Sequence, residues 1–192
     1  MKNFFQKTKR KFFQRSAKAG FSFIEVIVSV FLLSFGLIVV IQLMSGNLEQ
    51  TLDSRNQVIA VELAQEGIEL VRNVRDSNWM SGAADSFANF PSGSESDCRI
   101  DYKYTSGSSL PCDGDFNLTK SNGFYISTVS SSAVFKRKIT ISYDTGSSST
   151  ANSMTVTSIV TWGGLNFPST TNCTTATKCA YAQTTLTRWG GK

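Results

Sequence analysis

The chain has 192 residues, no histidine, four cysteines and a formal net charge of +5. Without histidine there is no Ser-His-Asp triad, no His-ligated zinc and no imidazole base, and no P-loop or GxGxxG segment offers a phosphate cradle. The excess charge is local, because residues 1–20 hold seven Lys or Arg and no acid while the remainder carries 12 basic against 14 acidic side chains, so a basic surface for nucleic acid is excluded.

The seven cations are Lys2, Lys7, Lys9, Arg10, Lys11, Arg15 and Lys18. They precede Gly20-Phe21-Ser22-Phe23-Ile24-Glu25, and the 19 residues Val26–Met44 then carry no charge. A helix of that length crosses a hydrocarbon core about 30 Å thick. Cations concentrated on one flank keep that flank in the cytoplasm and send the C-terminal part across. An ordinary secretory signal has a shorter apolar core and a small-residue cleavage site. Here the run is longer, and Leu43-Met44-Ser45-Gly46-Asn47 has no A-x-A-like pattern. One acid, Glu25, stands at the mouth of the apolar run, where an unpaired carboxylate packed among apolar helices costs several kcal/mol.

Helical periodicity continues past the apolar run. Leu48, Leu52, Ile59, Leu63, Leu70 and Val74 form one stripe, and Val61, Ala64, Ile68 and Val71 a second, with Ala60 and Gly67 between them. Arg55, Glu62, Glu66, Glu69 and Asn73 gather on the other side, and Glu69 and Arg72 are spaced to pair. The apolar arc exceeds what one sheet can cover, so one stripe is expected on the chain's own sheet and part of the other on neighbouring molecules. Asp76-Ser77-Asn78 and Gly82 end the pattern. A single helix from about Phe23 to Asn78 would be on the order of 80 Å long.

Residues Ser81–Ser96 read as a loop. Strands are expected at Arg99–Tyr104, Phe124–Val129, Val134–Tyr143, Met154–Trp162 and Ala180–Arg188. Asp144-Thr145-Gly146 and the serines after it suggest an antiparallel hairpin between the third and fourth of these. Arg137 falls on the same face as Phe135 and Ile139. Its guanidinium has three candidate environments: helix-end carbonyls, an acid such as Asp76, or water at the rim. The fold class is α+β, a long N-terminal helix packed on an antiparallel sheet.

Cys98, Cys112, Cys173 and Cys179 all lie beyond the apolar helix, on the exported side, where disulfides are favoured. Three pairings are open. The local ones, Cys98–Cys112 and Cys173–Cys179, are preferred because each closes a loop in a Gly/Ser/Thr-rich segment. The spacing does not match a zinc ribbon. No metal, cofactor or catalytic residue is expected. Asn117-Leu118-Thr119 and Asn172-Cys173-Thr174 match the N-glycosylation pattern weakly, and the Ser/Thr surface could carry O-glycans.

The run Gly20-Phe21-Ser22-Phe23-Ile24-Glu25 followed by a spanning helix resembles the processing site of type IV prepilins and type II secretion pseudopilins. Ala60–Trp79, Phe135–Tyr143 and Val160–Trp162 resemble minor pilins of the PilV type. Two features depart from the family pattern. The leader is long for many members, and Gln42 stands about where many major pilins carry a proline, leaving Gly36 as the local weak point of the helix.

The resemblance implies a pilin-like fold with a cleaved leader at 1–20, a membrane and assembly half-helix at 21–46, an exported half-helix at 47–80 and a β-rich head at 81–192. It implies that a prepilin peptidase cuts between Gly20 and Phe21 and methylates the new amine on Phe21. It further implies that Glu25 pairs with a neighbour's N-terminal amine during assembly. The implied partners are other pilin subunits, the prepilin peptidase, and a platform protein with its cytoplasmic ATPase. The implied location is the bacterial cytoplasmic membrane and then an extracellular pilus. Nucleic acid enters only if the chain serves DNA uptake. The alternatives are a pseudopilin of a type II secretion or DNA-uptake system, and a signal-anchored adhesin that does not polymerise.

Overall fold

The computed structural model describes residues 20–83, 85–104, 108–128, 133–168, 171–174 and 176–189. The basic segment before Gly20 and the end of the strand expected at Val129 lie outside the described residues. The element order is α1 (Phe23–Met80), β1 (Glu95–Cys98), β2 (Asn117–Ser121), β3 (Phe124–Ser127), β4 (Phe135–Tyr143), β5 (Ser153–Trp162) and β6 (Cys179–Thr187). The chain divides into two units, one ending at Asn47 and one starting at Leu48.

In the first unit the Ser22 carbonyl accepts from the amides of Glu25 (2.9 Å) and Val26 (3.3 Å), which starts the helix. Every residue from Gly20 to Asn47 is exposed. A helix apolar on all sides has no preferred inner face of its own and calls for an apolar surrounding.

In the second unit α1 ends on a Schellman motif. Ala83 N–H donates to Asn78 C=O (3.1 Å) and Gly82 N–H to Trp79 C=O (3.2 Å), with Gly82 at φ 74°. Buried Asn78 donates from Nδ2 to the carbonyls of Ser86 (3.2 Å) and Ala88 (2.6 Å), tying the following loop to the helix end.

The sheet order is β3-β2-β4-β5-β6, with β1 pairing on β4, and all the pairings are antiparallel. The β4–β5 hairpin is as expected, in register from Phe135↔Trp162 to Tyr143↔Met154. β1 lies upstream of the expected Arg99–Tyr104 strand. Ile100 is buried, but its carbonyl accepts from Arg137 instead of joining a ladder. β2 was not expected. It pairs with β3 around Asn122-Gly123, whose φ values of 52° and 90° suit a two-residue type I′ hairpin.

Helix and sheet meet along a line on α1 with alternating steps of four and three: Ala60, Ala64, Gly67, Val71, Val74 and Asn78 are all buried. Leu63 and Ile68 flank it inside the core, whereas Leu48, Leu52, Val58 and Val61 stay exposed. The buried band therefore combines Ala64, Ile68 and Val71 of the second stripe with the small residues between the two and takes only part of the first. Two apolar clusters result. One gathers Ile68, Val71, Phe87, Ile139, Ile141 and Met154, and the other Ala60, Leu63, Leu118, Phe135, Val160 and Trp162.

Between them runs a polar seam. A Cβ on Gly67 would stand 2.5 Å from Ser158 Oγ, 2.8 Å from Ile139 Cδ1 and 3.2 Å from Arg137 Cδ. Arg137, only 2% exposed, donates from Nη1 to the Leu63 carbonyl (3.0 Å) and from Nη2 to the Ile100 carbonyl (2.6 Å), and Glu66 Oε1 lies 3.5 Å from Nη1. Burial lowers its pKa and Glu66 opposes that. Of the three candidate environments, water at the rim is not found, the carbonyls that Arg137 bonds are those of Leu63 within α1 and Ile100 in a loop and not those of the helix end, and the acid beside it is Glu66, while Asp76 pairs with Arg75 at 2.8 Å.

Gly67→Ala is expected to cost about 1–3 kcal/mol by overpacking. Arg137→Ala is expected to cost about 1–3 kcal/mol, because it leaves the Leu63 and Ile100 carbonyls short of a buried donor. Urea unfolding of the detergent-solubilised chain, followed by tryptophan fluorescence, checks both. A midpoint equal to that of the parent for either variant would refute the seam.

Candidate functional site

Gly20 and Phe21 precede the helix and Glu25 lies in its first turn. Phe21 is 82% exposed, so no packed side chain among the described residues covers it. Among the described residues nothing comes within 4 Å of a Cβ built on Gly20.

The helix that follows is long and apolar enough to cross a membrane, by length and composition. Its polar side chains are in part satisfied locally. The hydroxyls of Ser29, Ser34 and Ser45 donate to the carbonyls four residues back, those of Glu25 (2.7 Å), Val30 (2.7 Å) and Ile41 (3.0 Å). Such back-bonding lets serine sit in an apolar medium without an orphaned donor. Glu25 is the only acid between Gly20 and Leu48 and has no side-chain partner among the described residues.

In the second unit the four cysteines form two disulfides, Cys98–Cys112 and Cys173–Cys179, with sequence separations of 14 and 6. The first joins the end of β1 to the loop before β2. The second closes the segment that leads into β6. Arg99 and Asp113, each one residue beyond a bridged cysteine, pair at 2.7 Å, so the first bridge and this ion pair hold the same loop. Cys98 is fully buried in the larger cluster.

Sequence patterns did not reveal a second tie between α1 and the loop before β6. Lys178, in a left-handed conformation at φ 41°, reaches Asp53 with Nζ 2.9 Å from Oδ2 and 3.1 Å from Oδ1. The hydrogen bond from Lys178 holds the Asp53 carboxyl below its usual range, and the reciprocal bond raises Lys178. A carboxylate and an amine 125 residues apart carry no local signal. Only the helix face on one side and the disulfide on the other bring them together.

The end of α1 carries an aromatic group that sequence patterns also missed. Trp79 and Trp189 meet edge to face at 5.8 Å, and the Arg75 guanidinium lies 4.6 Å from the centroid of Trp189. Both indoles are about half exposed, and Met80 beside them is 79% exposed. Among the described residues no group of His, Cys, Asp and Glu is placed to hold a metal ion.

No family model, no curated protein and no solved structure matches this chain.

The stability that the Asp53–Lys178 pair contributes has a defined pH window. Asp53 is lowered from 3.8, so its share is present above that value and is lost as pH falls through the lower folded value. Lys178 is raised from 10.5, so its share is present below that value and is lost as pH rises through the higher folded one. The urea midpoints of the parent and Asp53→Asn are expected to differ by a constant amount between about pH 5 and pH 9, and to converge in strong acid. Midpoints that coincide at neutral pH would show that the pair contributes nothing.

Proposed function

We propose that this chain is a prepilin-like protein, a structural subunit of a type IV pilus in a minor role. A prepilin peptidase removes residues 1–20 and methylates the amine of Phe21. The mature chain waits in the cytoplasmic membrane with its head outside, and is then drawn into a helical filament by a platform protein and its ATPase.

One observation carries this reading. A single uninterrupted helix, Phe23–Met80, opens just after Gly20-Phe21, holds Glu25 in its first turn and is apolar all round up to Asn47. It then packs on a sheet along one side only, leaving Leu48, Leu52, Val58 and Val61 uncovered.

The chemistry follows from that arrangement. Cleavage creates an ammonium on Phe21, about one helical turn from Glu25. When the helix leaves lipid headgroups for a bundle of apolar helices, the carboxylate loses its water, and a neighbour's ammonium supplies the compensating charge. A buried pair of this kind adds little net stability but penalises every register that leaves it unpaired. The exposed leucines and valines give the neighbouring helices an apolar surface to pack on. The sheet and two disulfides make the head a rigid body that survives an oxidising exterior.

Mass spectrometry of the N-terminus of protein recovered from its host is expected to find a chain that begins at methylated Phe21. An intact leader, or a cut after Gly46, overturns the reading. Glu25→Ala is expected to leave the chain processed and in the membrane, and to lower its recovery in sheared fibres by about tenfold or more, equivalent to about 1.4 kcal/mol. A variant recovered in fibres at the parental level removes Glu25 from assembly. A parental chain displayed at the surface but never found in fibres favours an anchored adhesin.

A further inference from the structure

The Cys173–Cys179 bridge and the Asp53–Lys178 pair meet at one point in the fold. Lys178 directly precedes Cys179, and its Nζ stands 2.9 Å from Asp53 Oδ2 and 3.1 Å from Oδ1. Glu49, about one helical turn before Asp53, adds attraction for the ammonium. Two restraints hold the Lys178 backbone. Its carbonyl accepts from the Trp162 amide (3.1 Å), and the bridge fixes the residue after it. Its φ of 41° lies in the left-handed region, which a residue with a side chain keeps only where its surroundings impose it.

On the helix side, the pair falls where α1 has little apolar hold on the sheet. From Leu48 to Ile59 no residue is buried, and only Asp53, Asn56 and Ile59 are partly covered. The buried line begins at Ala60. A stretch with so few apolar contacts opens at lower cost than the core beside it, so a polar tie there carries more of the hold.

We infer that the Cys173–Cys179 bridge is a redox latch on α1. Closed, it sets Lys178 on Asp53 and fastens the start of the packed helix to the loop before β6. Opened by a protein dithiol, it frees Lys178 to leave the left-handed conformation, and the helix from Leu48 to Ile59 loses this tie.

The opening is ordinary thiol–disulfide exchange. A thiolate of the dithiol attacks Sγ of Cys173, which is half-buried, in preference to Sγ of Cys179, which belongs to a residue only 6% exposed. The S–S bond breaks, a mixed disulfide forms on Cys173, and Cys179 leaves as a thiolate that takes a proton from water. The second thiolate of the dithiol then attacks its own partner sulfur and releases Cys173 as a thiol. Two electrons pass from the dithiol, which ends as a disulfide, to the bridge. Oxidation by the reverse route closes the latch.

Coupling between the bridge and the ion pair is reciprocal. If closing the bridge favours the pair, removing the pair must ease the opening of the bridge by the same factor. The second disulfide supplies an internal control, because Cys98–Cys112 has its own ion pair, Arg99–Asp113, and does not involve Asp53.

The test uses the full-length chain in detergent. It is equilibrated in buffers of set reduced-to-oxidised dithiothreitol ratio, the free thiols are alkylated, and the peptides carrying each cysteine are weighed by mass spectrometry. Asp53→Asn is expected to move the midpoint of Cys173–Cys179 toward the thiols by about twofold to fivefold, the range of a partly exposed ion pair, and to leave Cys98–Cys112 in place. Glu69→Gln, which breaks the Glu69–Arg72 pair within the helix, is expected to move neither. A Cys173–Cys179 midpoint that stays put in Asp53→Asn overturns the latch. So does an equal shift of both bridges, which would mean that the substitution loosens the whole unit.

A second measurement closes the cycle. In a chain carrying Cys173→Ser and Cys179→Ser, adding Asp53→Asn is expected to leave the urea midpoint unchanged. A fall as large as the same substitution causes in the parent shows that the pair forms without the bridge, and overturns the latch. Should the double serine chain not fold, the dithiothreitol equilibrium, which uses the native cysteines, decides alone. Neither measurement needs fibres, so their outcome is separate from that of the filament reading.

Discussion

The close approach of α1 to the sheet at Gly67 determines how the second unit is built. Because position 67 has no side chain, the helix lies against Ile139 and Ser158, and the aliphatic stem of Arg137 fits beside it. The guanidinium is then trapped in the interior, where it bonds the Leu63 carbonyl from the helix side and the Ile100 carbonyl from the loop side. A buried cation with these partners ties three segments to one point. Two apolar clusters form on either side of it, and the interface is a register as well as a core. Sliding the helix by one turn would bring a residue with a side chain over Ser158 and leave the guanidinium without its carbonyls.

The remaining ties secure the ends of that interface. Asn78 and the Schellman motif fix the chain as it leaves the helix. Lys178 and Asp53 fasten the disulfide-closed segment before β6 to the start of the packed helix. The Cys98–Cys112 bridge fixes the loop that supplies the Ile100 carbonyl to Arg137. On the proposed reading, such a head can be pulled from a membrane by its helix without losing its shape, because polar contacts join that helix to the sheet at Arg137 and to the loops on either side of it.

The two units answer different surroundings. In the second unit the helix is buried along one line and exposed elsewhere, the signature of a surface helix in water. In the first unit no face is buried and three serines bond back to their own helix. That pattern suits lipid or a bundle of like helices. Glu25 is the exception in this segment, and the proposed pairing with an amine made by cleavage gives that exception a purpose.

Much of this was legible from residue order. Apolar residues in an unbroken run, then at steps of three and four, specify a helix because backbone hydrogen bonding and side-chain period depend only on near neighbours. Apolar alternation in Phe135–Tyr143, broken only by Arg137, and in Met154–Trp162, broken at Ser158-Ile159, specifies strands for the same reason. Tertiary structure alone decided the rest. β1 (Glu-Ser-Asp-Cys) and β2 (Asn-Leu-Thr-Lys-Ser) are mostly polar and become strands because β4 offers each a stretch of its edge, although Asn122-Gly123 did signal the hairpin after β2. Arg137 is interior and Asp53 meets Lys178 because of distances across the fold. Such contacts join residues far apart in the chain, and no local period records which of them will come into reach.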